Sequence, residues 1–234
     1  MRLPATIVAI RQETPTIKSF AFDLHGREIG FMAGQWVDFF VTLEGAEAVG
    51  GYSITSSPAE QTTFSLAVKQ DGSDHPVTNW LHDDARVGDE VEVALGGDFY
   101  YEPEEADSVV LIAGGIGLTP LMSIVRSANE LATRTRLALV YSAATPDELL
   151  FREELVSIAD ANPRIRPVFT VTQPESDAWD GHTGRIDAGL LRSESVDLNA
   201  LFFVCGPPAM IRAMIAMLRE LGVPRPRIRY EQWW

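Results

Sequence analysis

Short runs of alternating hydrophobic and polar residues fill the first hundred positions of the chain. Alternation with a period of two is typical of strands that bury one face, and several such strands at near-regular spacing predict a small antiparallel barrel. One helical stretch, at residues 77–83, interrupts the strands. The predicted strands are residues 5–11, 16–23, 35–43, 51–56, 63–69 and 90–95.

From residue 108 onward, long apolar segments alternate with segments of helical periodicity. Strands that alternate with helices predict a parallel sheet covered by helices on both faces. The sequence therefore predicts a β + α/β chain, with an antiparallel barrel over residues 1–103 and a doubly wound parallel sheet over residues 107–234. In this second part the predicted strands are residues 109–113, 137–142, 166–172 and 201–205, and the predicted helices lie near 120–131, 147–160 and 208–221.

The segment 109–124, VVLIAGGIGLTPLMSI, predicts a buried strand, a glycine turn and the start of a helix. This geometry directs backbone N–H groups and the positive end of a helix dipole to one spot, which suits a pyrophosphate. Glycine also lets a phosphate approach the backbone closely. The same pattern occurs as simple punctuation between a strand and a helix. The residues assigned to this turn are Gly114, Gly115 and Gly117, with Thr119 as the helix N-cap and Pro120 as its first residue.

A second glycine turn follows the apolar strand LFFVC and precedes another helical run. The first turn is not the usual dinucleotide fingerprint, because Pro120 stands where the third glycine would fall. Taken together, GGIGLTP and CGPPAM resemble the nicotinamide-binding half of the ferredoxin–NADP reductase family. The residues of the second turn are Cys205, Gly206, Pro207 and Pro208.

The segment GYSITSSP at residues 51–58 resembles the flavin motif Arg-x-Tyr-Ser of the same family. The resemblance implies that Tyr52 packs against the isoalloxazine ring and that Ser53 hydrogen-bonds near flavin N5, the atom that receives hydride. It also implies that Ile54 and Thr55 offer backbone groups to the flavin edge. From the residues alone, Tyr-Ser-Ile-Thr is equally a good strand sequence with an aromatic core residue.

Gly50 departs from the family, since it stands where an arginine usually pairs with the flavin phosphate. A glycine cannot do so, which leaves open both the flavin affinity and the choice between FAD and FMN, although the resemblance favours FAD. A second phosphate-binding element of the family corresponds to His75-Pro76-Val77-Thr78. Val77, Thr78 and the N–H groups of this helix start would hold the pyrophosphate. The alternative for Thr78 is an ordinary N-cap.

The resemblance places the nicotinamide between Cys205 and the flavin, so that Ser53 and Cys205 would flank the reacting atoms. The alternative is that Cys205 is a buried and inert end of a strand. Family members that use NADPH often carry an arginine where this chain has Gln173, which favours NADH as the coenzyme. The resemblance also implies that Trp234 or Trp233 covers the flavin ring, and the alternative is a last strand pinned to the sheet.

Composition narrows the remaining functions. A net charge of −14, from 19 basic and 33 acidic residues, argues against nucleic acid or an anionic membrane as a partner. No apolar run approaches the roughly 20 residues of a membrane span. The single cysteine excludes an internal disulfide and a cysteine-ligated metal cluster, so we expect no metal site and a cytoplasmic location.

The resemblance covers nearly the whole chain and implies a short two-domain reductase without a ferredoxin domain. Hydride would pass from NADH or NADPH to a bound flavin, and electrons would then reach a separate acceptor such as a ferredoxin, a flavodoxin or an oxygenase component. One alternative is a reductase that uses free flavin as its substrate. Another is a regulatory or electron-transfer subunit that binds flavin weakly and has no turnover of its own.

Overall fold

A computed structural model of the chain describes residues 1–70, 72, 74–131, 133–174 and 179–232. Its N-terminal part is an antiparallel barrel in which alternate side chains point inward. The strands are β1 (Leu3–Thr14), β2 (Ile17–Asp23), β3 (Trp36–Leu43), β4 (Ala46–Ser53), β5 (Thr63–Lys69) and β6 (Glu90–Gly96), and helix α1 (Pro76–Asp83) lies between β5 and β6. They stand in the order β4-β3-β6-β1-β2-β5, and a bridge between Ile54 and Leu66 closes the barrel.

Aromatic side chains fill the centre of the barrel. Phe22 stacks on Phe64 with their ring centroids 4.7 Å apart, and it meets Phe39 edge-on at 5.7 Å. All three rings are fully buried. Each such ring removes a large apolar area from water, so this cluster supplies much of the stability of the barrel.

The C-terminal part is a six-stranded parallel sheet covered by helices. Its strands are β7 (Ser108–Gly114), β8 (Arg136–Ala143), β9 (Ile165–Val171), β10 (His182–Thr183), β11 (Leu201–Cys205) and β12 (Ile228–Glu231). Its helices are α2 (Leu118–Glu130), α3 (Arg152–Ala161), α4 (Ala188–Ser193) and α5 (Pro208–Glu220). The order is β10-β9-β8-β7-β11-β12, and the predicted fold class is confirmed. Within the described residues, no helix has the length and apolarity needed to cross a membrane.

The two sheets share one apolar cluster. Ile17 and Ala67 on the outside of the barrel belong to it, as do Phe99 and Tyr101 in the segment that connects the sheets. Apart from Ala33, the rest of the cluster comes from one face of the parallel sheet, from α2, and from Leu149, Leu150 and Leu155 in and before α3. This shared cluster holds the barrel against the parallel sheet, and the residues that follow β4 contact α2.

Two predicted elements begin about five residues away from their predicted starts. Strand β4 starts at Ala46 rather than at residue 51, because residues 46–50 pair in register with residues 39–43 of β3. Helix α3 starts at Arg152 rather than near 147, since Phe151 has a left-handed backbone with φ of 54°. A 3₁₀ turn, Pro146–Glu148, occupies the residues before it. A residue in that conformation cannot continue a right-handed helix.

Candidate active site

The order of the parallel sheet reverses between β7 and β11. The chain proceeds from β7 through β8 to β9 on one side and returns to β11 and β12 on the other. In open α/β sheets, ligands bind at the carboxyl ends of the strands where the order reverses. Both predicted glycine turns lie at this point, because Gly114 ends β7 and Cys205 ends β11. The topology therefore brings the two motifs together.

The glycines of these turns have two different surroundings. A Cβ on Gly117 would lie 2.5 Å from the carbonyl oxygen of Cys205, and a Cβ on Gly206 would lie 3.1 Å from the nitrogen of Gly114. These glycines allow the two strand ends to touch. Gly115 has φ of +54°, and a Cβ there would meet no atom of the described residues within 4 Å. Gly115 thus faces open space, where a phosphate could approach the backbone.

The start of α2 differs from the prediction. Residues Gly115–Gly117 form a 3₁₀ turn, and Gly117 is the N-cap of the helix. The assignment of Thr119 as the N-cap was wrong, because its hydroxyl donates to the carbonyl of Ile116 at 2.9 Å within the first turn. Pro120 consequently stands at the third helical position instead of the first. The helix still directs its N-terminal end to the reversal point.

Cys205 is completely buried at the end of β11 and pairs in register with Glu231 on β12. Burial raises the pKa of its thiol well above the ordinary value, and the charge of Glu231 raises it further. The thiol therefore stays protonated at neutral pH, and it has none of the character of a nucleophilic cysteine. Pro207 is the N-cap of α5 and Pro208 its first residue, which suits the fixed backbone of proline.

Ser53, the last residue of β4, carries an unusual buried hydroxyl. It is only 4% exposed, and its Oγ has no hydrogen-bond partner in the described part of the chain. A buried hydroxyl without a hydrogen-bond partner costs roughly 1–3 kcal/mol of stability, so native proteins rarely contain one. The Oγ1 atom of Thr55 is in the same condition among the residues described. Ser53 and Thr55 are two residues apart and point away from the barrel core that Ile54 enters, and two such hydroxyls fit a polar ligand such as a flavin ring.

The expected role of the backbone after Ser53 needs correction. The N–H of Ile54 donates to the carbonyl of Gln35 at 2.9 Å, and the N–H of Thr55 donates to the carbonyl of Ser65 at 2.8 Å. Both donors serve the barrel and are not available to a flavin edge. Ile54 also points its side chain into the barrel core.

Tyr52 lies over Gly50 and reaches the start of α1. Its hydroxyl is 2.9 Å from Oγ1 of Thr78, and burial raises the pKa of the phenol. A Cβ on Gly50 would lie 2.7 Å from the Tyr52 hydroxyl oxygen, so the absence of a side chain at position 50 gives the ring its place. Thr78 is the third residue of α1 and does not cap that helix, while Val77 is buried in the barrel core.

The structure places Tyr52 against Thr78, and it brings Gly115, Cys205 and Gly206 together at the ends of β7 and β11. The side chain of Ser53, the next residue of β4, points to the opposite face of the strand from Tyr52. Trp233 and Trp234 lie outside the described residues, so their predicted place over the flavin ring stays a prediction. Ser123 and Arg126 of α2, whose side chains bind the backbone that follows β4, were not predicted from the sequence. No sequence pattern singles them out, because Thr119, Ser127 and Glu130 at neighbouring positions of α2 are polar as well.

Comparisons with known proteins agree with this arrangement. Residues 4–98 match the oxidoreductase FAD-binding domain, and residues 111–215 match the oxidoreductase NAD-binding domain. The oxidoreductase NAD-binding domain-containing protein 1 of Danio rerio is 36% identical, over 98% of this chain and 91% of that protein. The glycine betaine monooxygenase reductase subunit of Chromohalobacter salexigens is 32% identical, over 92% of this chain and 60% of that protein.

A solved structure shows the same fold over almost the whole chain. The flavohem-like FAD/NAD-binding domain of a Vibrio cholerae nitric oxide dioxygenase superposes with a TM-score of 0.88 at 23% identity, and covers 99% of this chain and 98% of that one. Because both domains match and these relatives are similar over most of the chain, the chain belongs to the ferredoxin–NADP reductase-like family of FAD- and NAD-binding oxidoreductases.

Proposed function

We propose that the chain is a reductase that takes hydride from a nicotinamide coenzyme onto a bound FAD and passes electrons to a separate acceptor. Residues 1–103 would hold the flavin and residues 107–234 the coenzyme. The observation that carries the proposal is the buried Oγ of Ser53, at the end of a strand in an FAD-binding domain. This atom has no hydrogen-bond partner among the residues that the structure describes. The facing glycine turns support it.

A bound flavin supplies the capacity to accept hydride and to release electrons one at a time. The residues of this chain provide position and polarity. Ser53 offers a hydroxyl from a strand whose neighbouring amides are fixed in the barrel. Gly115 leaves the backbone open to a pyrophosphate, and Cys205 presents a neutral thiol at the reversal point. Such positioning supplies a large part of the rate of a hydride transfer.

We propose NADH as the coenzyme in preference to NADPH. The residues that follow β8 and β9 carry no charge at Ala144 and Gln173, and the N–H of Gln173 donates to the carbonyl of Ala144 at 2.7 Å. A 2′-phosphate would need a cation at this edge. The guanidinium of Arg152 already lies 5.0 Å above the ring of Trp179. The acceptor would be an oxygenase component, as the name of the glycine betaine monooxygenase reductase subunit suggests, or else a ferredoxin or a flavodoxin.

The test is an absorbance spectrum from 300 to 600 nm, recorded without oxygen before and after addition of NADH or NADPH. Flavin bands that bleach faster with NADH are expected. Ser53→Ala should slow bleaching by about tenfold, since one hydrogen bond is lost, whereas the equally buried Ser127→Ala should leave the rate unchanged. A protein that binds no added FAD or FMN would overturn the proposal.

A second candidate is a reductase that binds flavin only transiently as a substrate. Tyr52 over Gly50 favours it, because no side chain at position 50 can hold the flavin phosphate. Purified protein with about one flavin per chain would exclude this candidate. A colourless protein that oxidises NADH only when free flavin is added would support it.

A further inference from the structure

Two side chains of α2 bind the backbone that follows Ser53. The hydroxyl of Ser123 donates to the carbonyl of Ser56 at 2.6 Å, and Nη1 of Arg126 donates to the carbonyl of Thr55 at 2.8 Å. Ser123 and Arg126 are three residues apart, so they lie on the same face of the helix. The residues 54–56 that follow β4 form a strand extension, and two consecutive carbonyls of this extension are therefore bound by α2.

Arg126 is itself held in a fixed orientation. Its Nε and Nη2 atoms donate to the two carboxylate oxygens of Glu154 at 2.7 and 2.6 Å, and its guanidinium lies 4.7 Å above the ring of Phe151. Its side chain is only 18% exposed. A paired, planar guanidinium makes short and strongly directional bonds, which a lysine in its place could not reproduce.

The segment from Ser53 to Ser56 is thus held from two sides. The barrel bonds the amides of Ile54 and Thr55, and α2 bonds the carbonyls of Thr55 and Ser56. The other end of α2 is the glycine turn at the reversal point, since the helix begins directly after Gly117. A single rigid helix therefore connects the coenzyme side of the site with the strand that carries Ser53.

We propose that Arg126, assisted by Ser123, is a positioning residue that sets the separation between the flavin and the nicotinamide. This inference rests on the proposed function. Arg126 contacts the strand extension by its guanidinium and acts only through that backbone. A displacement of about 1 Å between two reacting groups can lower a rate by about 10²-fold. The loss of this tie should consequently slow hydride transfer more than it weakens the binding of either cofactor.

The experiment compares wild-type protein with Arg126→Lys and with Arg166→Lys as a matched control. Arg166 is also an ion-paired arginine, bound to Glu194 at 3.0 Å on a different surface of the parallel sheet. Each protein is loaded with FAD, mixed with NADH without oxygen, and followed by stopped-flow absorbance. The limiting bleaching rate and the NADH concentration at half-saturation are read separately. Reduction by dithionite, which needs no coenzyme alignment, is measured in parallel.

We expect Arg126→Lys to lower the limiting rate by about 10- to 100-fold, with FAD content, half-saturating NADH and dithionite reduction within about twofold of wild type. Arg166→Lys should match wild type. If wild-type protein bleaches and Arg126→Lys bleaches equally fast, or loses dithionite reduction and FAD in proportion, the positioning role is overturned and the proposed function stands. If wild-type protein does not bleach with either coenzyme, both fall.

A second measurement uses the cavity beside Arg126. This cavity, of about 800 Å³, lies between the outer face of the barrel and the start of α3, and Arg126 forms part of its wall. A small cation can therefore reach the position vacated in Arg126→Ala. Guanidinium at millimolar concentration should restore part of the limiting rate, whereas methylammonium should not. An equal effect of both cations would be an ionic-strength effect and would contradict the proposal.

Discussion

The two sides of the site are built in opposite ways. On the coenzyme side, backbone atoms occupy the space where Gly117 and Gly206 would carry a side chain, so the strand ends are in place without a ligand. On the flavin side, the hydroxyls of Ser53 and Thr55 lack partners among the described residues, and Tyr52 occupies the room above Gly50. One side is completed by the packing of the chain, and the other is left for a ligand to complete.

The largest loss of stability should come from a side chain added where the two strand ends meet on the coenzyme side. In Gly117→Ala, the new Cβ would stand 2.5 Å from backbone atoms of Cys205 and Gly206, which cannot move aside as a flexible side chain can. We expect a loss of about 3 kcal/mol or more in the free energy of unfolding, measured in urea.

Gly115→Ala is the matched control for that substitution. Its Cβ would meet open space as far as the described residues extend, and only the left-handed backbone would be strained, at a cost of about 1–2 kcal/mol. Equal losses of stability in the two variants would contradict the difference between a tightly packed Gly117 and an open Gly115.

On the flavin side, a larger, basic side chain at position 50 should strengthen ligand binding while it lowers stability. Gly50→Arg would displace Tyr52 from its place and break its contact with Thr78, but would supply a cation for a phosphate. We expect the affinity for FAD to rise about tenfold while the protein without flavin loses about 1 kcal/mol of stability.

Gly50→Ala separates these two consequences, because it displaces Tyr52 and supplies no charge. It should lower stability by a similar amount without a gain in FAD affinity, as measured by fluorescence titration. A gain in Gly50→Ala would mean that the position of Tyr52, and not the missing charge, limits flavin binding.

The last prediction concerns Cys205 and an effect that appears only at alkaline pH. Its pKa is raised in the folded protein above the unfolded value, so the folded protein keeps a proton that the unfolded chain releases above about pH 9. Stability from this group is complete below pH 9 and is lost as the pH rises. Between pH 9 and 10, wild-type stability should fall by up to about 1.4 kcal/mol per pH unit more steeply than that of Cys205→Ala. Parallel slopes in urea titrations would contradict the burial of the thiol as a neutral group.

The sequence predicted what local pattern controls. Strand β11 was predicted at residues 201–205 and α5 at 208–221, because a short apolar run and a long amphipathic run leave little choice. The first half of β4, residues 46–49, was missed, since its pairing with β3 and not its own pattern makes it a strand. Thr119 was assigned as an N-cap on propensity, and the 3₁₀ turn before α2 moved the cap to Gly117.

The same limit applies to the site. The glycine turns and the Tyr-Ser pair can be recognised in sequence because the residues that act together are neighbours in the chain. The tie between Arg126 and Thr55 spans 71 positions, and the closing of the Ile54 and Thr55 amides depends on strands elsewhere in the barrel. Such pairings follow from the tertiary fold and leave no periodic mark.

The apolar cluster that joins the two sheets makes folding a joint event. If the parallel sheet melted alone, Ile17 and Ala67 on the barrel would face water, and Phe99 and Tyr101 would lose their neighbours. The hydroxyls of Thr14 and Thr16 would also lose their acceptor Glu148. Neither sheet is therefore an independent cooperative unit, and heating should give one calorimetric transition for the whole chain. An exchange of halves between relatives would have to carry both facing surfaces to yield a soluble protein.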